Sequence, residues 1–211
     1  MLDLYWKKFQ MKLNWLNKKN NNKLIVFFNG WGMDDTAIAH LSPEDYDVLT
    51  VCDYNTLGEL PDLTNYKSTH IVAWSMGVMV ATLYNCNQCS ATAINGTPFP
   101  INLEYGINPK VYKLMELGYS EQTAEKFLLK MFKDPTKVFY PKREAENQKN
   151  ELTALKNYSA NPDFKYTRVI IGDEDKIIPT QSQKNYWGTN AEIINEGHYP
   201  FLKYSKWEEL L

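Results

Sequence analysis

The stretch Ala73-Trp74-Ser75-Met76-Gly77 decides the fold of this chain. It follows an apolar, β-type run, His70-Ile71-Val72-Ala73, and precedes a helix-like run from Val78 to Tyr84. A strand, a sharp turn that carries serine, and a helix form a nucleophile elbow, in which small flanking residues leave the serine hydroxyl exposed. Ala73 and Gly77 hold those flanking positions, with alanine where the usual pattern has glycine. A serine that only caps a helix gives a similar pattern, so other residues must decide.

A general base for this serine must come from only three histidines. His40 ends an amphipathic run and His70 opens a strand, and both positions fit local packing. His198 instead lies in a loop between the β-like run 192–194 and a predicted terminal helix over 205–211. An imidazole with a pKa near ~6.5 can accept the serine proton at neutral pH. We therefore predict His198 as the base.

An acid that orients the histidine is expected after the preceding strand, Arg168 to Ile171. The residues that follow this strand include Asp173, Glu174 and Asp175. The spacing favours Asp175, Asp173 stays the alternative, and Glu174 fits an exposed turn. The chain order is then serine, acid, histidine, which is the order of one hydrolase fold. This chemistry requires no metal and no cofactor.

Oxyanion donors are expected from two main-chain amides. Met76 supplies the first, because it follows the serine. The second should come from the loop Asn29-Gly30-Trp31-Gly32-Met33-Asp34, which follows an apolar strand over 23–28. Glycines on both sides of Trp31 allow the main chain to turn its N–H toward Ser75. A generic glycine-rich turn would look the same, but beside the other three residues we assign Trp31 as the second donor.

The chain has 211 residues, of which 44% are hydrophobic, enough for the core of one domain. Strand-like runs alternate with helical segments and lie at residues 23–28, 47–52, 69–73, 91–95, 166–171 and 191–194. This alternation predicts an α/β domain over residues 1–211, with a mainly parallel sheet covered by helices on both faces. The carboxyl ends of parallel strands share one edge, where all parts of the predicted site fall.

A long segment between two of these strands, residues 98–163, predicts a helical cap inserted in the domain. One helix can be read within it, with Ser120 as N-cap and Pro135 as terminator. Its apolar face repeats at helical spacing through Ala124, Phe127, Leu128 and Met131. That face is expected to cover the site or to pack on the core.

These motifs together resemble the α/β-hydrolases and, within them, the pimeloyl-ACP methyl ester esterases of biotin synthesis, of the BioG type. The loop 27–34, the elbow 73–77, the strand exit Asn95-Gly96-Thr97-Pro98 and the histidine loop 197–201 carry the resemblance. It implies an α/β-hydrolase fold and a serine esterase that cleaves the methyl ester of pimeloyl-ACP to give pimeloyl-ACP and methanol. It also implies acyl carrier protein as partner.

Carrier binding and acyl binding each suggest further residues. Residues 110–160 hold ten Lys or Arg against seven Asp or Glu, whereas the remainder holds 13 against 18. Carrier proteins are strongly acidic, so this polarity favours docking on the cap, although a solvated lysine face is also common. The predicted docking residues are Lys126, Lys130, Lys133, Lys142 and Arg143.

Trp31, Trp74 and Phe99 adjoin the motifs and can line an acyl slot, but aromatic residues also fill cores.

Localisation and partners follow from the remaining sequence. Lys7, Lys8 and Lys12 interrupt any apolar span near the start, so we expect a cytoplasmic protein without membrane contact. Met11 is an alternative start that would make residues 1–10 an extension. The three cysteines do not suggest a disulfide scaffold, and a pI of about 6.0 argues against nucleic acid. We expect a monomer.

Two alternatives remain open at this point. The same chemistry would serve a short-chain carboxylesterase or thioesterase that acts on small acyl substrates without a carrier. A hydrolase fold that binds a ligand without catalysis is the second alternative, and the complete set of Ser75, Asp175 and His198 argues against it.

Overall fold

A computed structural model describes residues 10–211; residues 1–9, most of the predicted extension 1–10, lie outside it. The described part forms one seven-stranded sheet in the order β1-β3-β2-β4-β5-β6-β7. β1 runs antiparallel to its neighbour, and all other neighbouring strands are parallel. The strands are β1 (Lys12–Asn17), β2 (Lys23–Phe28), β3 (Tyr46–Cys52), β4 (Ser68–Trp74), β5 (Ser90–Ile94), β6 (Arg168–Gly172) and β7 (Glu192–Ile194). The mainly parallel sheet is therefore confirmed.

The central strands are apolar on both faces because both faces are covered. In β2, Leu24, Val26 and Phe28 pack into the core on one face of the sheet. Ile25 and Phe27 point the other way and pack into a second core. These strands place their carboxyl ends, and the loops that follow, at one edge of the molecule.

Helices cover the sheet and fill the segment between β5 and β6. They are α1 (Gly77–Ala81), α2 (Pro109–Gly118), α3 (Glu121–Met131), α4 (Ala145–Leu155) and α5 (Thr180–Trp187). α1 is shorter than the run predicted over 78–84, and the predicted terminal helix is a 3-10 turn, Trp207–Leu210. Within residues 10–211, no helix is long and apolar enough to span a membrane.

The helix predicted inside residues 98–163 is present as α3. The Ser120 N–H donates to the Thr123 hydroxyl at 2.9 Å, which satisfies a free amide at the start of the helix. Leu128 and Met131 are buried, and both α2 and α3 contact α4. Three helices thus lie between β5 and β6, and the function of the insertion as a cap stays a prediction.

Candidate active site

Ser75 and Met76 form the turn between β4 and α1. Ser75 has a φ of +58°, in the left-handed region, which costs a non-glycine residue roughly 1–3 kcal/mol. Its N–H donates to the Ile94 carbonyl at 2.9 Å and ties the turn to β5. A Cβ at Gly77 would lie 2.4 Å from the Phe28 carbonyl oxygen, so only glycine fits there. The elbow is therefore a strained turn, held by the neighbouring strands.

Three side chains meet at this turn. Ser75 Oγ lies 2.9 Å from His198 Nε2, and His198 Nδ1 lies 2.8 Å from Asp175 Oδ2. All three residues are buried, whereas the alternative acid, Asp173, is exposed. The structure thus brings Ser75, His198 and Asp175 into one hydrogen-bonded chain and leaves Asp173 outside it.

Every oxygen of the Asp175 carboxylate has a protein donor. Oδ1 accepts the main-chain N–H groups of Ile177 at 2.8 Å and Ile178 at 3.0 Å. Oδ2 accepts the side-chain amide of Gln183 at 2.8 Å in addition to His198. Gln183 is fully buried, but it was not among the predicted site residues, because it stands in the run of polar residues 180–185 that begins α5. These donors fix the carboxylate that faces the histidine.

The main chain of His198 is fixed by two other side chains. Its carbonyl accepts Trp74 Nε1 at 2.9 Å and Asn95 Nδ2 at 2.9 Å. Asn95 Oδ1 also accepts the N–H of Gly172 at 2.6 Å, so this amide joins the ends of β5 and β6 to the histidine loop. In the sequence Asn95 is only the first residue of a strand exit, and nothing beside it indicates these buried contacts.

The two amides predicted as oxyanion donors belong to residues that line the same small pocket as Ser75. Gly32, with a φ of +73°, turns the chain directly after Trp31. The N–H of Gly30 donates to the Asn29 side chain at 2.9 Å, and that of Gly32 donates to Glu151 at 3.0 Å. Within residues 10–211, neither the Trp31 nor the Met76 amide has a hydrogen-bond acceptor. Their role as donors stays a prediction.

The small pocket shares part of its wall with a wider groove. The volume open to the centre of a water molecule is about 10 Å³ in the pocket beside Ser75 and about 370 Å³ in the groove. Four apolar residues line both: Ile107, Met115, Phe127 and Ile177. Ile107, Met115 and Phe127 lie within the insertion, residues 98–163. The insertion therefore forms part of the wall of the pocket beside Ser75.

The three aromatic residues predicted for the acyl slot lie in different places. Trp31 lines the small pocket, and its ring contacts Tyr119 and Phe127. Trp74 also borders this pocket but is fully buried in the core below His198. Phe99 is 40% exposed and packs against Tyr105 and Tyr186, outside both the pocket and the groove. The structure does not support the assignment of Phe99 to the slot.

The predicted docking residues separate into a surface group and one buried residue. Lys126 and Lys130 line the groove, together with Lys176, which is not one of the predicted docking residues. Lys133 pairs with Glu174 at 2.8 Å, and Lys142 is exposed.

The docking prediction is wrong for Arg143. Only 3% of its side chain is exposed, and it pairs with Glu151 at 2.7 Å and Asp53 at 3.1 Å. Burial opposes the charge, yet these carboxylates raise the pKa of Arg143 above its usual value. A guanidinium held inside the protein by two carboxylates cannot contact a partner at the surface.

The sheet order, the serine turn and the histidine loop define this chain as an α/β-hydrolase. A putative aryl esterase from Burkholderia cenocepacia shares the fold, with a TM-score of 0.64 at 15% identity, covering 92% of this chain and 89% of that chain. The family described as pimeloyl-ACP methyl esterase BioG matches residues 11–210. The chain therefore belongs to the BioG family.

Two relatives are more similar in sequence to this chain than the aryl esterase is. The crystal structure of BioG from Haemophilus influenzae has a TM-score of 0.86 at 30% identity, covering 94% of this chain and 99% of that one. A malonyl-[acyl-carrier protein] O-methyltransferase of Bacteroides fragilis is 35% identical over 176 residues. That match covers 77% of this chain but only 36% of the relative, so the chain spans about a third of its length.

Proposed function

We propose that this protein is a serine esterase that hydrolyses the methyl ester of pimeloyl-ACP in biotin synthesis. The observation that carries the proposal is the hydrogen-bonded chain from Ser75 through His198 to Asp175, in a member of the BioG family. Family membership supports ester hydrolysis and an acyl carrier protein as partner. The serine mechanism, the cap role of residues 98–163 and a cytoplasmic, monomeric state are parts of the proposal.

The first half of the reaction forms an acyl-enzyme. His198 Nε2 takes the proton of the Ser75 hydroxyl as Oγ attacks the ester carbonyl, and Asp175 stabilises the imidazolium through Nδ1. The carbonyl oxygen becomes an oxyanion that accepts the N–H groups of Trp31 and Met76. The carbon–oxygen bond to the methoxy group then breaks, and His198 returns its proton so that methanol leaves.

The second half releases the acid. A water molecule enters the place of methanol and gives a proton to His198 as its oxygen attacks the acyl carbon. The same two amides stabilise the second oxyanion. The bond to Ser75 Oγ breaks, the serine regains its proton from His198, and pimeloyl-ACP leaves with a free carboxylate.

The groove gives the acyl chain a route to the serine. Its wall beside the small pocket is apolar, which suits a methylene chain. The side chains of Lys126, Lys130 and Lys176 lie along the groove and would face an acidic carrier at its opening. Since the pocket beside Ser75 is so narrow, we propose that the insertion moves when substrate enters.

Hydrolysis of pimeloyl-ACP methyl ester by the purified protein tests this proposal. We expect cleavage that Ser75→Ala abolishes, because Ser75 Oγ is the hydroxyl that His198 Nε2 contacts. The free methyl ester of pimelate, run beside the carrier-bound ester, measures how much the carrier contributes.

Three outcomes distinguish the alternatives. Serine-dependent cleavage that favours the carrier-bound ester supports the proposal. Equal or better cleavage of the free ester would leave the chemistry intact and favour a small-substrate carboxylesterase. Full activity of Ser75→Ala, with its melting temperature unchanged, would overturn the serine mechanism.

A further inference from the structure

Four consecutive residues of the loop after β2, Trp31 to Asp34, are bound by one segment of the insertion. Trp31 Nε1 donates to the Gln148 carbonyl at 2.7 Å, and the Gly32 N–H donates to Glu151 Oε2 at 3.0 Å. The Met33 carbonyl accepts Arg143 Nη1 at 3.3 Å, and the Asp34 carboxylate accepts the main-chain N–H of Lys142. We call the binding residues, Lys142, Arg143, Gln148 and Glu151, the loop-binding cluster.

Glu151 lies at the centre of the loop-binding cluster. It is fully buried, and Oε2 accepts Arg143 Nη1 at 2.7 Å as well as the Gly32 N–H. Oε1 accepts the Tyr54 N–H at 2.9 Å, so the carboxylate also joins the loop to the turn that follows β3. A buried carboxylate is costly unless donors and an opposite charge surround it. Here those donors include a main-chain amide next to the predicted oxyanion donor.

The amides around Trp31 show why this contact matters. The N–H of Gly30 is taken by Asn29 and the N–H of Gly32 by Glu151. Only the Trp31 N–H between them has no acceptor within residues 10–211, in a turn that depends on the positive φ of Gly32. Oxyanion donors stabilise a transition state only when their direction is fixed before the reaction.

We propose that Glu151, with Arg143, is a positioning residue that fixes the Trp31 N–H toward the oxyanion. This inference rests on the proposed function, because it assigns a direction to a donor of that reaction. Glu151 does not line the pocket beside Ser75 and acts through the Gly32 peptide. Arg143 keeps Glu151 in place and holds the next carbonyl, that of Met33.

Glu151→Gln in the full-length chain tests the inference. Glutamine keeps the shape but has one acceptor oxygen for the two N–H groups of Gly32 and Tyr54, and it loses the charge that pairs with Arg143. We expect kcat for pimeloyl-ACP methyl ester to fall about 10- to 100-fold while KM changes less than about threefold. Such a split indicates an interaction made in the transition state.

Leu155→Ala is the matched control for a purely structural effect. Leu155 is a fully buried residue of the same helix, α4, one turn after Glu151, and it is not one of the residues that line the pocket beside Ser75. We expect it to lower the melting temperature and to leave kcat within about twofold of the wild type. Equal kcat losses in the two variants at equal melting temperature would overturn the positioning role, as would an unchanged kcat in Glu151→Gln.

Trp31→Phe provides a second variant if Glu151→Gln does not fold. It removes the single hydrogen bond to the Gln148 carbonyl and keeps an aromatic ring between Tyr119 and Phe127. We expect kcat to fall about threefold to tenfold, with a smaller rise in KM because the Trp31 ring also lines the pocket beside Ser75. A loss confined to KM would contradict the inference.

Amide hydrogen exchange separates this inference from the proposed function. If Ser75→Ala retained activity, the proposed function would fail, yet the Gly32 amide could still be followed. We expect this amide to exchange faster in Glu151→Gln than in Leu155→Ala. Exchange at the same rate in both variants would overturn the positioning role, whatever the reaction is.

Discussion

The loops at the strand ends and the helical insertion hold their polar side chains in different ways. Ser75, Asp175 and His198 follow β4, β6 and β7. Main-chain groups at the strand ends fix the first two turns, and the side chains at the ends of β4 and β5, Trp74 and Asn95, fix the third. Arg143 and Glu151 in the insertion are fixed by side-chain ion pairs inside the protein. The first arrangement follows from the sheet, and the second depends on partners distant in the chain. Substitutions in the two regions should therefore differ in how much activity and stability they remove.

The largest effect is expected at the strand-end acid. Asp175→Asn removes the charge that stabilises the imidazolium and favours the wrong histidine tautomer, so kcat should fall about 10³- to 10⁴-fold. Steady-state kinetics on the carrier-bound ester measures the loss. Circular dichroism should show an unchanged fold, since asparagine has the same shape.

Asp173→Asn is the matched control for that prediction. Asp173 lies two residues earlier on the same loop and is exposed, whereas the carboxylate bonded to His198 Nδ1 is that of Asp175. Its variant should keep full activity. If Asp173→Asn lost as much activity as Asp175→Asn, the loop charge as a whole would matter and the single-acid assignment would fail.

A smaller effect on activity is expected when a side chain is added at the glycine of the elbow, Gly77. A Cβ at Gly77 would lie 2.4 Å and 2.5 Å from the carbonyl oxygens of Phe28 and Asn29, so the turn must move away from β2. We expect Gly77→Ala to lower stability by roughly 1–3 kcal/mol and kcat about 10²-fold. Thermal unfolding and kinetics on the same preparation measure both effects.

Gly118→Ala makes the same chemical change in the insertion. Gly118 ends α2, and nothing lies within 4 Å of an added Cβ there. Gly118 lines the groove but not the pocket beside Ser75, so we expect unchanged cleavage of the free methyl ester and a melting temperature equal to or slightly above that of the wild type. Loss of activity in this variant would show that the insertion constrains the site as tightly as the sheet does.

The same difference explains what could be predicted from the sequence. Ser75 and His198 stand in short motifs whose meaning depends on residues beside them, so the fold and the place of the site could be read directly. Gln183, Asn95 and Glu151 are ordinary polar residues until distant partners bury them. The edge strand β1 was not predicted, because its residues are mostly exposed and polar residues interrupt its apolar ones.

Charge was the least informative pattern, as the docking residues show. Lys142 and Arg143 are neighbours with the same charge, yet one is exposed and the other is enclosed by Asp53 and Glu151. A count of charges over residues 110–160 cannot distinguish the two, because it contains no information about which carboxylates approach. Buried ion pairs must be found in three dimensions.

The smallest effect is expected at the lysines that remain on the surface. Reversing Lys126 and Lys130 to glutamate should lower kcat/KM for the carrier-bound ester about tenfold at low ionic strength and less at high salt. Cleavage of the free methyl ester should not change, because neither lysine lines the pocket beside Ser75. The ratio of the two rates therefore isolates the contribution of the carrier.

Lys67→Glu with Lys165→Glu gives a control pair of equal charge change. Both residues are exposed. Lys67 directly precedes β4 and Lys165 lies three residues before β6, so both lie at the edge of the sheet opposite Ser75. If the carrier docks at the groove, the double variant at Lys126 and Lys130 should lose much more activity than the double variant at Lys67 and Lys165. Equal losses would show that net charge alone attracts the carrier, and no loss in either pair would identify the groove lysines as a solvated helix face.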